Sequence, residues 1–210
     1  LKQCATYMSM YALDYEDRMP VTSYNSATNT TYEWTEFIDP YVNSKQLYGR
    51  DARKDFMLCP SLKPNNFVHR GMVYGAAFSS SDHPAGVFFT SATCNGVLSG
   101  KVKHPSSYVI FGESAYAVSS GEAAHSTFKG AGLREGDPCM RSWWTTVNYG
   151  GGRYPSYFHH GKRSNFAYVD GHVESCDVGT YAKQSKIRFN GDAITCYYTD
   201  SLFVVKTITP

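Results

Sequence analysis

Charge is scarce in this 210-residue chain: Asp, Glu, Lys and Arg make up 18% of it and leave a formal net charge of +2. The basic residues form no block, so the clustered positive face that a nucleic-acid surface needs is missing, and nucleic acid is excluded as a partner. No apolar run reaches the roughly 18 residues of a helical membrane span. The six cysteines (Cys4, Cys59, Cys94, Cys139, Cys176 and Cys196) include no C-x-x-C pair, which removes zinc knuckles and thioredoxin-like motifs. Scattered in this way, they read equally as disulfides of an oxidising compartment or as small core hydrophobes, and no pairing is selected.

Aromatics, by contrast, are abundant at 15%, with 17 Tyr beside 18 Gly and 9 Pro. That mixture suits strands and loops better than a helical bundle, and the length suits one domain spanning residues 1–210. The clearest helix runs from Leu1 to Arg18. Leu1, Cys4, Ala5, Met8, Tyr11, Ala12 and Tyr15 recur at helical spacing along one stripe, and Pro20 is expected to stop it. No Ser, Thr, Asp or Asn caps its start, which reads as the lower half of a longer helix.

From Val21 to Asn66 the pattern is irregular, with short strands or a helical turn near Asp51–Leu58. Strands are expected at Met72–Phe78, Val87–Thr90, Ser107–Phe111, Asn165–Val169, His172–Cys176 and Ala193–Val205, separated by Gly, Pro, Ser and Asn. The expected architecture is α+β: the N-terminal helix packed on a largely antiparallel sheet, with long loops over 21–66 and 119–158.

The most informative stretch runs from Phe158 to Cys176. Asp170-Gly171 between two β-rich runs predicts a hairpin with a two-residue type I′ turn. That turn would set Val169 opposite His172, Tyr168 opposite Val173, Ala167 opposite Glu174 and Phe166 opposite Ser175. Phe166, Tyr168 and Val173 would then face the core, and Ala167, Val169, His172 and Glu174 a wetter side.

His160, nine residues and then Asp170-Gly171 make up an H-x9-D-G pattern. With it stand Leu1-Lys2-Gln3, Tyr11-Ala12 and Asp14-Tyr15, then Cys59-Pro60-Ser61, Tyr74-Gly75, and Tyr108–Ser114 ending on Glu113 and Ser114. In order and spacing the set resembles the prepilin-type, processing-associated H-x9-D-G domain, whose members look like pseudopilins of type II secretion and type IV pilin-like proteins. The resemblance implies a pilin-like fold and a non-enzymatic structural subunit of an envelope filament. It also implies a leader trimmed and methylated by a prepilin peptidase, and an upstream apolar helix that anchors the subunit in the inner membrane and packs against other subunits. The head would then face the periplasm or ride outward in a filament, with the secretion or pilus machinery as partner.

Within the pattern, His160 is expected to fold back and hydrogen-bond to Asp170 or to the turn, as a clip. The competing reading makes His160, Asp170 and His172 metal ligands. Related major pseudopilins carry a calcium loop, but calcium prefers oxygen over imidazole and no D-x-D-x-D-G run is present, so no cofactor is expected.

Two enzyme-like patterns fail on inspection. Gly112-Glu113-Ser114-Ala115-Tyr116 is similar to a nucleophile elbow, but Tyr116 stands where glycine must let the next helix approach. Glu113, Glu122, His125 and Asp137 could be grouped as acids and bases only on paper. The aromatic cluster of Trp143, Trp144, Tyr154 and Tyr157 around Gly150–Gly152 supplies candidate partner or glycan contacts. It supports the alternative reading, a secreted carbohydrate- or matrix-binding β-rich module.

Overall fold

The computed structural model describes residues 1–25, 30–42, 55–57, 59–60, 74–77, 83, 85–90, 94–113, 143–144, 156–158, 160–188, 196–200 and 205–208. Helix α1 (Lys2–Asp14) leads into β1 (Arg18–Asn25), β2 (Thr30–Glu33), the single turn α2 (Trp34–Phe37), β3 (Gly75–Ala77), β4 (Phe88–Thr90), β5 (Asn95–Leu98) and β6 (Val109–Gly112). Then follow β7 (Trp143–Trp144), β8 (Ser156–Phe158), β9 (Arg163–Tyr168), β10 (Val173–Asp177), α3 (Val178–Arg188), β11 (Cys196–Asp200) and β12 (Val205–Ile208). The strands form three sheets, ordered β2-β1-β5-β4, β10-β9-β6-β3-β7 and β12-β11-β8. Pairing is antiparallel except for β3 with β7 and β8 with β11. The α+β class therefore holds; within the segment expected as a strand at Ala193–Val205, β11 is a strand and Val205 begins β12, and the rest lies outside the described residues.

Helix α1 buries Cys4, Ala5, Met8 and Ala12, as its periodicity requires. It stops before the expected Arg18, and Pro20 is not the cause. Glu16 and Asp17 adopt left-handed conformations (φ 56° and 61°), and the Asp17 amide returns to the Ala12 carbonyl at 2.8 Å. Tyr15, counted in the buried stripe, falls beyond the helix and is half exposed. Pro20 lies within β1, which runs on into the region from Val21 that was expected to be irregular. Its missing N–H coincides with a register shift between Pro20 and Thr22 against β5. At that shift the backbones come so close that a Cβ on Gly96 would sit 2.3 Å from the Met19 carbonyl oxygen, so only glycine fits.

Two apolar cores flank the central sheet. On one side α1 meets Trp34, Ile38, Phe111, Ala167 and Val169. Trp34 is fully buried, donates Nε1–H to the Tyr74 carbonyl at 2.9 Å and packs 4.4 Å from the Phe111 ring. On the other side Val109, Phe158, Phe166, Tyr168, Cys176 and Tyr181 cluster under α3. The Phe166 and Tyr181 rings stack with centroids 5.2 Å apart and planes 7° from parallel. Cys4 and Cys176 are buried thiols, one in each core, as the core-hydrophobe reading has it; Cys59 and Cys94 are thiols as well.

Helix α3 is absent from the sequence reading. Asp177 caps it: Oδ1 accepts the Thr180 amide at 2.8 Å and Oδ2 accepts the Thr180 hydroxyl at 3.3 Å. Because α3 covers one face and α1 the other, β9 is buried on both sides. Phe166, Ala167 and Tyr168 are fully buried and Val169 nearly so, which overturns the expectation that Ala167 and Val169 face water.

The β9–β10 register also differs from expectation. Ala167 pairs with Val173, Phe166 with Glu174 and Asn165 with Ser175, one residue off the predicted set. The Gly171 amide bonds to the Tyr168 carbonyl at 2.8 Å, and the Tyr168 amide to the His172 carbonyl at 3.0 Å. Only Gly171 has positive φ there (+84°), and Asp170 does not. The loop is therefore three residues long, with glycine in the left-handed position, rather than a type I′ pair. The slip moves Val173 to the α1 side beside Ala167 and Val169.

Candidate functional site

A type I′-like turn does occur in this region, nine residues upstream of the expected one. Gly161 (φ +57°) and Lys162 (φ +70°) form its centre, and His160 and Arg163 exchange two backbone hydrogen bonds of 3.0 Å. The turn carries His160 back over the sheet toward the end of β6. There Nε2 lies 2.9 Å from Glu113 Oε1 and 3.2 Å from Cys59 Sγ.

Glu113 is fully buried, and its carboxylate is satisfied from several directions. Oε1 accepts the Asn165 side-chain amide at 3.1 Å; Oε2 accepts the Asn165 backbone amide at 2.9 Å and the Ser164 hydroxyl at 3.3 Å. A buried carboxylate persists only with such company. Its bond to the imidazole, reinforced by its charge, holds the His160 pKa above the ordinary value even though burial works against it. Nearby, burial and then the proximity of Cys59 and Glu113 push the Tyr74 hydroxyl up as well.

The expected clip from His160 to Asp170 is not formed. His160 bonds to Glu113 and approaches Cys59. Asp170 turns to His172, whose Nδ1 lies 2.5 Å from its Oδ1 and whose amide donates to the same oxygen at 3.1 Å. The metal set His160, Asp170 and His172 is not assembled. Among the described residues, the one group of three metal-capable side chains is Cys59, Glu113 and His160, with ligand atoms all within 4.8 Å of one another. Gly171 serves the turn and meets α1: the Lys2 ammonium donates to its carbonyl at 2.6 Å.

Cys59 opens one short pattern in the sequence and Glu113 stands near the end of another, but nothing local joins them to His160. Of the acid–base grouping only Glu113 is described; Glu122, His125 and Asp137 lie outside the described residues, as does Ser114 of the elbow-like pattern. So does Tyr154. Trp143 and Trp144 form β7, which pairs in parallel with Ala76 and Ala77, and Tyr157 lies on β8.

The geometry does not build a nucleophilic triad. A Cys–His–acid relay needs the thiol on one ring nitrogen and the acid on the other. Here Sγ and Oε1 both address Nε2. No family model, curated protein or solved structure matches the chain.

Proposed function

We propose that this chain is the envelope-side head of a pilin-like subunit, a structural component of a type II secretion pseudopilus or a related type IV pilus-like assembly. The observation that carries the reading lies on α1: its buried face is sealed against the sheet, while Met10 (42% exposed) and Leu13 (82% exposed), three residues apart, stand in water. A helix that lines up beside the same helix of neighbouring subunits would cover both. The reading is supported further by the motif set: Cys59, Glu113 and His160 come from three separate landmarks and meet in one cluster.

On this reading the protein works by packing rather than by chemistry, held in the inner membrane by an apolar helix upstream of α1. The test is to read the coding frame ahead of Leu1 and determine the mature end of native protein by mass spectrometry. A processing junction of the Gly-Phe-Thr-Leu-x-Glu kind before about 20 apolar residues, with a methylated mature end, is expected. An ordinary cleavable signal peptide, or no apolar segment at all, overturns the reading.

A glycan-binding module is the second reading. A groove of about 330 Å³, lined by Tyr11, Asp14, Tyr15, Arg18 and Phe89, favours it, with the Tyr11 and Tyr15 rings stacked 4.2 Å apart at its edge. Retention on a glycan array that is lost on Tyr15→Ala, in a protein without the processing junction, would replace the first reading by this one.

A further inference from the structure

We propose that Cys59 Sγ, His160 Nε2 and Glu113 Oε1 form a binding site for a divalent transition-metal ion, zinc by the chemistry of its donors. Electron pairs crowd together at this point. Three atoms that can each offer a lone pair converge, with Nε2 at 2.9 Å from Oε1 and 3.2 Å from Sγ. Without a metal the three are held together only by hydrogen bonds that share the imidazole and thiol protons, whereas one cation at their centre would bind all three at once.

Geometry and donor type agree. Ligand bonds of about 2.3 Å to sulfur and 2.0–2.1 Å to nitrogen or oxygen place tetrahedral ligands about 3.3–3.6 Å apart, so the two distances from Nε2 need to open by only about 0.4 Å, and all three atoms already lie within 4.8 Å of one another. A thiolate, an imidazole and one carboxylate suit zinc and are a poor set for calcium or magnesium.

Supporting contacts are already in place. When a metal takes the position now used by the ring nitrogen, Oε1 keeps the Asn165 side-chain amide, while Oε2 keeps the Asn165 backbone amide and the Ser164 hydroxyl. The two positive-φ residues of the 160–163 turn fix the imidazole's approach. Binding releases the Cys59 thiol proton to solvent; Nε2 gives up its proton as well, to solvent from an imidazolium or to Nδ1 from the neutral ring, so that Nδ1 carries the one proton left. Three protein ligands leave a fourth position for water or for a donor from a partner. His160, with 26% of its side chain exposed, marks the side from which that donor would enter.

The test uses the 210-residue chain, stripped with a chelator and titrated with Co²⁺ and Zn²⁺. One equivalent of Co²⁺ is expected to give a thiolate-to-cobalt charge-transfer band and the intense visible bands of tetrahedral coordination, both abolished by stoichiometric Zn²⁺. Cys59→Ser removes the charge-transfer band, Cys94→Ser leaves it intact, and Asn165→Ala weakens zinc binding about 10–100-fold. X-ray absorption on the unsubstituted zinc-loaded protein needs no variant, and one sulfur with two nitrogen or oxygen protein ligands is the expected shell. No cobalt spectrum, a band that survives Cys59→Ser in folded protein, or a sulfur-free shell overturns the proposal.

Discussion

The Lys2 ammonium, at the first turn of α1, donates to the carbonyl of Gly171, 169 residues away, at 2.6 Å. This contact places the Asp170-Gly171 turn against the N-terminal helix, and Gly171 is the residue that allows it. Its φ of +84° is left-handed, and an added Cβ would meet only the Ser9 hydroxyl, at 3.8 Å. The cost of Gly171→Ala is therefore conformational rather than steric. A loss of about 1–2 kcal/mol in denaturant unfolding is expected, partly recovered by Gly171→Asn, which tolerates left-handed φ better. Equal losses for the alanine and asparagine variants would contradict this account.

At the other end of the motif, His160 holds one side of a buried carboxylate. His160→Ala leaves Glu113 with the Ser164 and Asn165 donors but without its imidazole. A destabilisation of about 1–3 kcal/mol is expected for the metal-free protein. Urea unfolding measures it, and a change below about 0.5 kcal/mol would show that the His160–Glu113 bond contributes nothing to the fold.

Asp177 links β10 to α3 through its bonds to Thr180. The Thr180 amide is the first cause that holds the Asp177 carboxyl below its usual range. A folded-state pKa below the unfolded one means that this stability is present above the unfolded value of about 3.9 and is lost as pH falls through the folded value. Asp177→Ala is expected to cost about 1 kcal/mol at neutral pH and almost nothing at the acid end of a thermal-melt series. A gap between the two proteins that stays constant across that series would refute the cap.

The second core depends on Tyr181, fully buried and stacked on Phe166. Tyr181→Ala is expected to destabilise the protein by about 3–5 kcal/mol, the range for deleting a buried ring. Protection of the β9 amides in hydrogen exchange should fall with it. Retained stability would mean that α3 is an ornament on the sheet rather than one of its covers.

The parts of this fold that could be read in advance are those written at short range. The Cys4, Ala5, Met8, Ala12 spacing gives the buried face of α1, and the Asp170-Gly171 pair marks where the chain reverses. The type of reversal was not readable, because whether Asp170 takes positive φ is decided by β9 being packed between two helices. The signal for α3 was present: Asp177 as a cap, then Val178, Tyr181, Ala182 and Ser185 at helical spacing. It follows β10 with no intervening loop, so the strand pattern runs into it. The cluster was hidden for a different reason. Cys59 lies 101 residues from His160, and Glu113 47, so no local pattern relates them.

The two-sided burial of β9 has a consequence for the order in which the molecule is made. The segment from His160 to Arg188 supplies the two tight turns, the hairpin and α3, and it can form by closing short loops. The layer opposite α3 must wait for α1, whose first turn reaches the hairpin across a separation of 169 residues. Non-local closures of that kind are the slow steps of folding. Helix α1 is thus synthesised long before the hairpin and can dock on it only once the hairpin exists. Until it arrives, Ala167 and Val169 present a bare apolar sheet face, a natural point for a chaperone to hold the chain or for two unfinished chains to associate.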